Sequence, residues 1–194
     1  MSSARALGLA VAVAATVLSV ACGSPPDKEI QEAETAIDAA RAAGAEQYAR
    51  DEFKAAQDAL KQAREAVDQR DYRSALNHAL DSRERAQNAA KEAADQKAAA
   101  RGDAERAIAN LTTALADART RLKSAESARV ASKTLAKPRQ AIADGDHALQ
   151  KARAAFGNGD YLAVNATAPP AAAHLVTVAH DLDAITAIVG RRRR

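Results

Sequence analysis

The sequence predicts an all-α fold: alanine-rich antiparallel helical hairpins, or a bundle, with a long central helix and two similar units. Three observations predict it. The first is composition. The chain is 47% hydrophobic, yet only 3% aromatic with no tryptophan. Alanine supplies most of the apolar content, and Ala, Glu, Arg, Lys and Gln are strong helix formers. Such a chain buries little apolar area per residue, so thin, closely packed helices are expected rather than one broad core. The second is periodicity. Phe53, Ala56, Leu60, Ala63 and Val67 step by three and four, as do Ile108, Leu111, Leu115, Ala118, Leu122 and Ala125, and again Leu175, Val178, Leu182, Ile185 and Val189. Each set forms one stripe on a helix, with charges such as Arg83, Glu84, Lys91 and Glu92 on the solvated faces. The third is the scarcity of breakers: 8 glycines and 5 prolines, grouped at a few places.

The first element is a leader. Met1 to Arg5 carries one positive charge, and Ala6 to Ala21 carries none. This is the layout of a secretory signal, too short for the ~20 residues of a membrane-spanning helix. The only cysteine, Cys22, follows Ala21 directly. Leu18-Ser19-Val20-Ala21-Cys22 resembles the lipobox of bacterial lipoproteins, with the leucine one place earlier than usual. That resemblance implies cleavage between Ala21 and Cys22 and diacylglyceryl and acyl groups on Cys22. Gly23 rather than Asp after the cysteine implies the outer membrane, facing the periplasm. Several acyl chains suffice for stable anchoring. Cys22 is then a lipid anchor, not a nucleophile, a metal ligand or half of a disulfide. Removing residues 1–21 leaves 173 residues (194 − 21), room for two small helical units.

Breakers divide the rest. Residues 22–26 form a short linker, in which Ser24 is a candidate N-cap and Pro25 a first-turn residue. Gly44 separates a first helix from a second over about 45–69. Asp71 is placed to cap a third helix that begins at Tyr72. Gly102 is its one weak point, and a continuous run from Tyr72 to Arg129 is expected. Pro138 marks the next joint, Gly157-Asn158-Gly159-Asp160 a turn, and Pro169-Pro170 a break before a last helix over 171–190. The first unit spans 27–100, the second 101–190, and residues 191–194 are a basic tail.

The chain repeats itself. ALKQAREAVDQRDY (59–72) matches ALQKARAAFGNGDY (148–161) at an offset of 89. Leu60, Arg64, Asp71 and Tyr72 recur as Leu149, Arg153, Asp160 and Tyr161, and Phe53 is matched by Ile142. We read a duplicated helix–turn–helix in which the aspartate caps the second helix and the tyrosine packs back on the hairpin. The segment from Ala36 to Leu80, with its A-x-x-x-L-x-x-A-R helix and R-D-Y turn, resembles the DUF4398 family of bacterial envelope proteins; the second half resembles it through the repeat. Pro169-Pro170 departs from the pattern. The resemblance implies a small helical lipoprotein of the cell envelope and carries no activity with it.

No residue set names a reaction. His78, His147, His174 and His180 lack zinc-ligand spacing, and no second cysteine exists. Asp144, Asp146 and His147 fall short of a calcium loop. No nucleophile elbow, P-loop or dinucleotide fingerprint occurs. Arg101-Gly102-Asp103 spells an adhesion tripeptide, which needs a protruding loop to act. The chain is therefore expected not to be an enzyme and to need no cofactor or metal. The formal charge of +3 falls to +2 without Arg5 and to −2 without Arg191, Arg192, Arg193 and Arg194. With basicity confined to that tail, nucleic acid is not an expected partner. The tail is either a solubilising end or a contact for anionic lipid or lipopolysaccharide phosphates. Two functional classes follow: a non-enzymatic envelope scaffold or spacer that meets another envelope protein or itself, coiled-coil-like in its packing, or a TPR-like peptide-binding adaptor.

Overall fold

Six helices make up the secondary structure of the computed structural model, which describes residues 24–191: α1 (Asp27–Ala43), α2 (Ala45–Tyr48), α3 (Arg50–Asp68), α4 (Tyr72–Ser127), α5 (Ser132–Gly157) and α6 (Tyr161–Arg191). No strand occurs among the described residues, so the all-α prediction holds. So does the long central helix, since α4 runs through Gly102 for 56 residues. The leader, Ala21, Cys22 and residues 192–194 lie outside the described residues.

The chain divides into two compact units between Ala94 and Asp95, each with its own part of α4. In α4, Ala94 to Ala99 are all exposed. Nothing is packed there to hold the helix, and the alanine, glutamine and lysine of this stretch keep it helical by propensity.

In the first unit α1 and α3 run antiparallel, and α3 forms a second hairpin with α4. The core takes Ala33, Ile37 and Ala40 from α1, Phe53, Ala56 and Leu60 from α3, and Ala86, Ala89 and Ala93 from α4. Alanine at most facing positions lets the helix axes close up, because side-chain size sets their separation. Ser82 is fully buried, and its hydroxyl donates to the Ala56 carbonyl at 2.8 Å, which satisfies the one polar group in that core layer. Ion pairs cross the rim: Arg64 to Glu34 at 2.7 Å, Arg83 to Glu32 at 2.5 Å and Arg85 to Glu52 at 3.6 Å. All are substantially exposed, so they set register more than stability.

The second unit packs the rest of α4 against the α5–α6 hairpin. Leu111, Leu115 and Ala118 meet Ile142, Leu149 and Ala152 of α5 and Val164, Ala168 and Leu175 of α6. A further cluster of Ala125, Val130, Leu135, Val178 and Leu182 closes the α4–α5 corner. Arg119 pairs with Asp146, Arg121 with Asp183 at 2.6 Å and Arg139 with Glu126 at 2.8 Å.

The offset of 89 maps one unit onto the other in burial as well as in letters. Ala75, Ala79, Ala86, Ala89 and Ala93 correspond to Val164, Ala168, Leu175, Val178 and Leu182, and all ten are buried. The second unit therefore holds larger side chains at the same places. Room for one of them is made across the hairpin, where Ala56 becomes Gly145. A Cβ built on Gly145 would stand 2.8 Å from Leu175 Cδ1 and 3.3 Å from Leu115 Cδ1. Both leucines are buried and have little freedom to move aside. Gly102, the other mid-helix glycine, meets only the Arg106 Nη1 atom at 3.5 Å. Gly102→Ala is therefore expected to stabilise by about 1 kcal/mol through helix propensity. Gly145→Ala is expected to lose more to overpacking, ~1–3 kcal/mol, than the same propensity returns. Urea denaturation of the two variants checks the opposite signs.

Four boundaries differ from those expected. The N-cap of α1 is Pro26, whose carbonyl accepts the Ile30 N–H at 3.0 Å, so Ser24 is not the cap. The expected single helix over 45–69 is two, because buried Ala49 leaves helical geometry at φ −141°, ψ 50°. This corner brings Ala45 and Ala49 into the core beside Phe53. Pro138 lies inside α5 and marks no joint; the joint is at 128–131, where Arg129 takes φ 58°. Finally, α6 continues through Pro169-Pro170, so the expected break is absent. Each proline removes one N–H and crowds the preceding turn, at a cost of ~3 kcal/mol or more in a helix interior. Both rings are exposed. Val164 and Ala168 before the prolines and Ala172 and Leu175 after them pack into one core, which holds the two halves in line.

Candidate functional site

The repeated turns are the best-defined local geometry that the sequence singled out. After α3 the Arg70 N–H donates to the Val67 carbonyl and the Asp71 N–H to the Ala66 carbonyl, both at 2.9 Å. After α5 the Gly159 N–H donates to Phe156 at 3.0 Å and the Asp160 N–H to Ala155 at 2.9 Å. This is the paired closure of a helix C-terminus by a left-handed residue. Gly159 meets that requirement freely at φ 77°, whereas Arg70 adopts φ 61° with a Cβ in the way. The next helix is capped in the same manner twice: Asp71 Oδ1 accepts the Ser74 N–H, and Asp160 Oδ1 the Ala163 N–H, both at 3.1 Å. Tyr161 folds back on the hairpin, its ring 5.2 Å from that of Phe156. Tyr72 is half-buried at the matching place. Asp71, Tyr72, Asp160 and Tyr161 thus form two separate structural turns, one in each unit.

Electrostatics point the same way. The Ser74 hydroxyl and N–H hold the Asp71 carboxyl below its usual range. Glu46 raises Arg41, Asp81 raises Arg85 and Asp183 raises Arg121, in each case through a hydrogen bond from the guanidinium. Every one of these shifts favours the charged form.

The remaining candidate residues are not brought together. His147, His174 and His180 are exposed and His78 half-buried. No three His, Cys, Asp or Glu side chains converge on a metal position among the described residues. Asp146 is engaged by Arg119, and Asp144 accepts from Gln140 at 2.9 Å. Arg101-Gly102-Asp103 lies within α4, where Arg101 binds Glu105 at 3.0 Å and Asp103 is held by Arg106, so no loop presents it. Arg191 is exposed at the last residue of α6.

Several hollows interrupt the surfaces of the described residues, one of them between α1 and α3 lined by Glu34, Asp38, Arg41, Lys61 and Arg64 and another between α5 and α6 lined by Lys137, Asp144, His174 and Asp181. In the first unit an open groove of 640 Å³ lies between α1 and α4, floored by Ala36, Ala39 and Ala90 and rimmed by Lys28, Glu32, Arg83 and Gln87. In the second a hollow of 440 Å³ between α4 and α6 is lined by Asn110, Asn165 and Pro169. There Asn165 Nδ2 donates to the Ala100 carbonyl at 3.0 Å, while its Oδ1 is buried with no partner.

One surface escaped the sequence reading. Helix α6 is long and apolar enough to cross a membrane by length and composition, with mean hydropathy 1.3 over its most apolar stretch. One side of it is core. The other leaves Val176 60% exposed, Ile188 46% and Leu162 41%. The signal was present: between Tyr161 and Gly190 the only charged residues are Asp181 and Asp183.

No family model, no curated protein and no solved structure matches the chain. The resemblance of residues 36–80 to the DUF4398 family gains no support from these comparisons.

Proposed function

We propose that this chain is a lipid-anchored protein of the bacterial envelope that works as a non-enzymatic helical scaffold or spacer. The address rests on the leader and on Leu18-Ser19-Val20-Ala21-Cys22. The class of job rests on one observation: among the described residues, the charged side chains with defined partners go mostly into helix caps and exposed ion pairs, several of which tie helix to helix. The uninterrupted α4 favours a scaffold over a TPR-like array, whose short helices turn back at a period of about 34 residues. The DUF4398-like pattern is consistent with this reading.

The test is fractionation with mass spectrometry of the wild type and Cys22→Ser. Wild type is expected in the membrane fraction with acyl groups on an N-terminal Cys22. Cys22→Ser is expected in the soluble fraction or retained as uncleaved precursor, without lipid. Cross-linking in the cell then separates a spacer, which captures itself or the wall, from an adaptor, which captures one recurrent envelope protein. A wild-type chain that carries no lipid would overturn the address.

A further inference from the structure

A second surface that the sequence reading passed over lies at one end of the second unit. The four arginines at 191–194 look isolated in the sequence, but the fold sets other cations beside them. Ala125 of α4, Val130 and Leu135 pack with Leu182 of α6 in one cluster, with Ile185 and Val189 against it. The end of α6 therefore stands at the α4–α5 corner. Residues 120–139, around that corner, hold six basic side chains and one acidic, and residues 181–194 hold four and two. Together these segments carry a formal +7, against −1 for the rest of the unit (95–119 and 140–180). Lys123, Arg129, Lys133 and Arg191 are exposed, with no ion-pair partner among the described residues. The carboxylates there are engaged: Glu126 pairs with Arg139 and Asp183 with Arg121, and Asp181 lines a hollow with Lys137. At the offset of 89 the corner matches residues 31–50, which carry −2, and Arg121 and Lys123 stand where the first unit has Glu32 and Glu34. A packing need common to the two units would recur in both. The free cations of this end serve none, and they gather against their mutual repulsion.

We infer that this basic end of the second unit docks on the phosphate-bearing surface of an anionic lipid membrane. Three observations choose that occupant. The cations come from three elements that end together: the last turns of α4, the start of α5 and the end of α6. A lipid surface of spread negative charge meets all of them at once and needs no matching shape. The last turn of α6 sets an exposed aliphatic side chain, Ile188, three residues before Arg191. An apolar side chain flanked by cations is the combination that seats a helix end at a headgroup layer. Nucleic acid fits less well, because neither 120–139 nor 181–194 holds an aromatic residue on which a base could stack. This inference goes beyond the scaffold reading and does not rest on Cys22, since the contact is made by charges at the other end of the sequence.

The test uses the chain from residue 22 with Cys22→Ser, so that neither leader nor acyl group tethers it. The described clusters of both units draw on residues 30 to 189, so this chain keeps both cores. The probe is vesicles of phosphatidylcholine with about 30% phosphatidylglycerol. Each basic residue close to such a surface is worth roughly a fivefold factor in affinity. The triple variant Lys123→Gln, Arg129→Asn, Lys133→Gln is therefore expected to bind at least about tenfold more weakly than the parent at low salt. Asparagine is chosen at 129 because it tolerates the left-handed backbone there. A control triple, Lys97→Gln, Lys151→Gln, Arg153→Gln, removes the same charge from exposed sites elsewhere in the unit and is expected to bind within about twofold of the parent. Helical circular dichroism of all three proteins should match. Parent binding should weaken with added salt and be lost on pure phosphatidylcholine. Equal losses from the two triples would overturn the inference, since net charge alone would then account for binding. So would a parent that ignores the vesicles or prefers duplex DNA to them. The same holds if the first triple binds like the parent while removal of residues 191–194 abolishes binding.

Discussion

Phe53→Ala is expected to cost about 3–5 kcal/mol, the range for removing a buried aromatic side chain. Phe53 is 4% exposed and is the one aromatic residue among the fully packed positions of the first unit. Most other members of its core cluster are alanines, among them Ala40, Ala49, Ala56 and Ala89, too small to close over the space it would leave. The Arg41 guanidinium lies 5.6 Å from the ring centroid and would lose that contact as well. A domain's whole stability is of order 5–15 kcal/mol, so the loss is a large fraction of it. Hydrogen exchange is the informative measurement. Amides of α1 and α3 should lose protection, while those of α5 and α6 keep theirs, because the side-chain clusters of the two units share no residue. Equal loss in both units would show that they unfold as one.

Leu175→Ala is expected to cost about 2–5 kcal/mol, for the cavity it leaves in the second unit. Leu175 is fully buried and lies over Gly145. The first unit shows what happens when the pair is sized differently: Ala86 and Ala56 stand at the matching positions, and both are fully buried. The double variant Leu175→Ala with Gly145→Ala recreates that pair. In the Leu175→Ala background the Gly145→Ala change should no longer overpack, and its helix propensity should make it stabilising by up to about 1 kcal/mol. A double-mutant cycle from chemical denaturation reads this directly. Additive effects would show that the two residues do not compete for the same space.

The sequence by itself determined the class of fold, the number of units and the turns between hairpins. Alanine-rich composition and three–four spacing leave helices as the one regular structure that buries those stripes, and every residue of the three quoted stripes is buried or half-buried. Gly44, Asp71 and Asp160 act locally, through a left-handed residue or a side-chain cap, so their positions were legible without any tertiary contact. Tertiary structure decided the rest. Pro138 and Pro169-Pro170 are breakers by local rule, yet α5 and α6 pass through them because apolar contacts on both sides outweigh a few lost hydrogen bonds. Ala49 is a helix former by the same rules, yet the chain bends there to bury a corner. The exposed side of α6 belongs to this second group. Periodicity identifies the side of a helix that enters a core, but only packing shows that the opposite side, with Leu162, Val176 and Ile188, is left facing water.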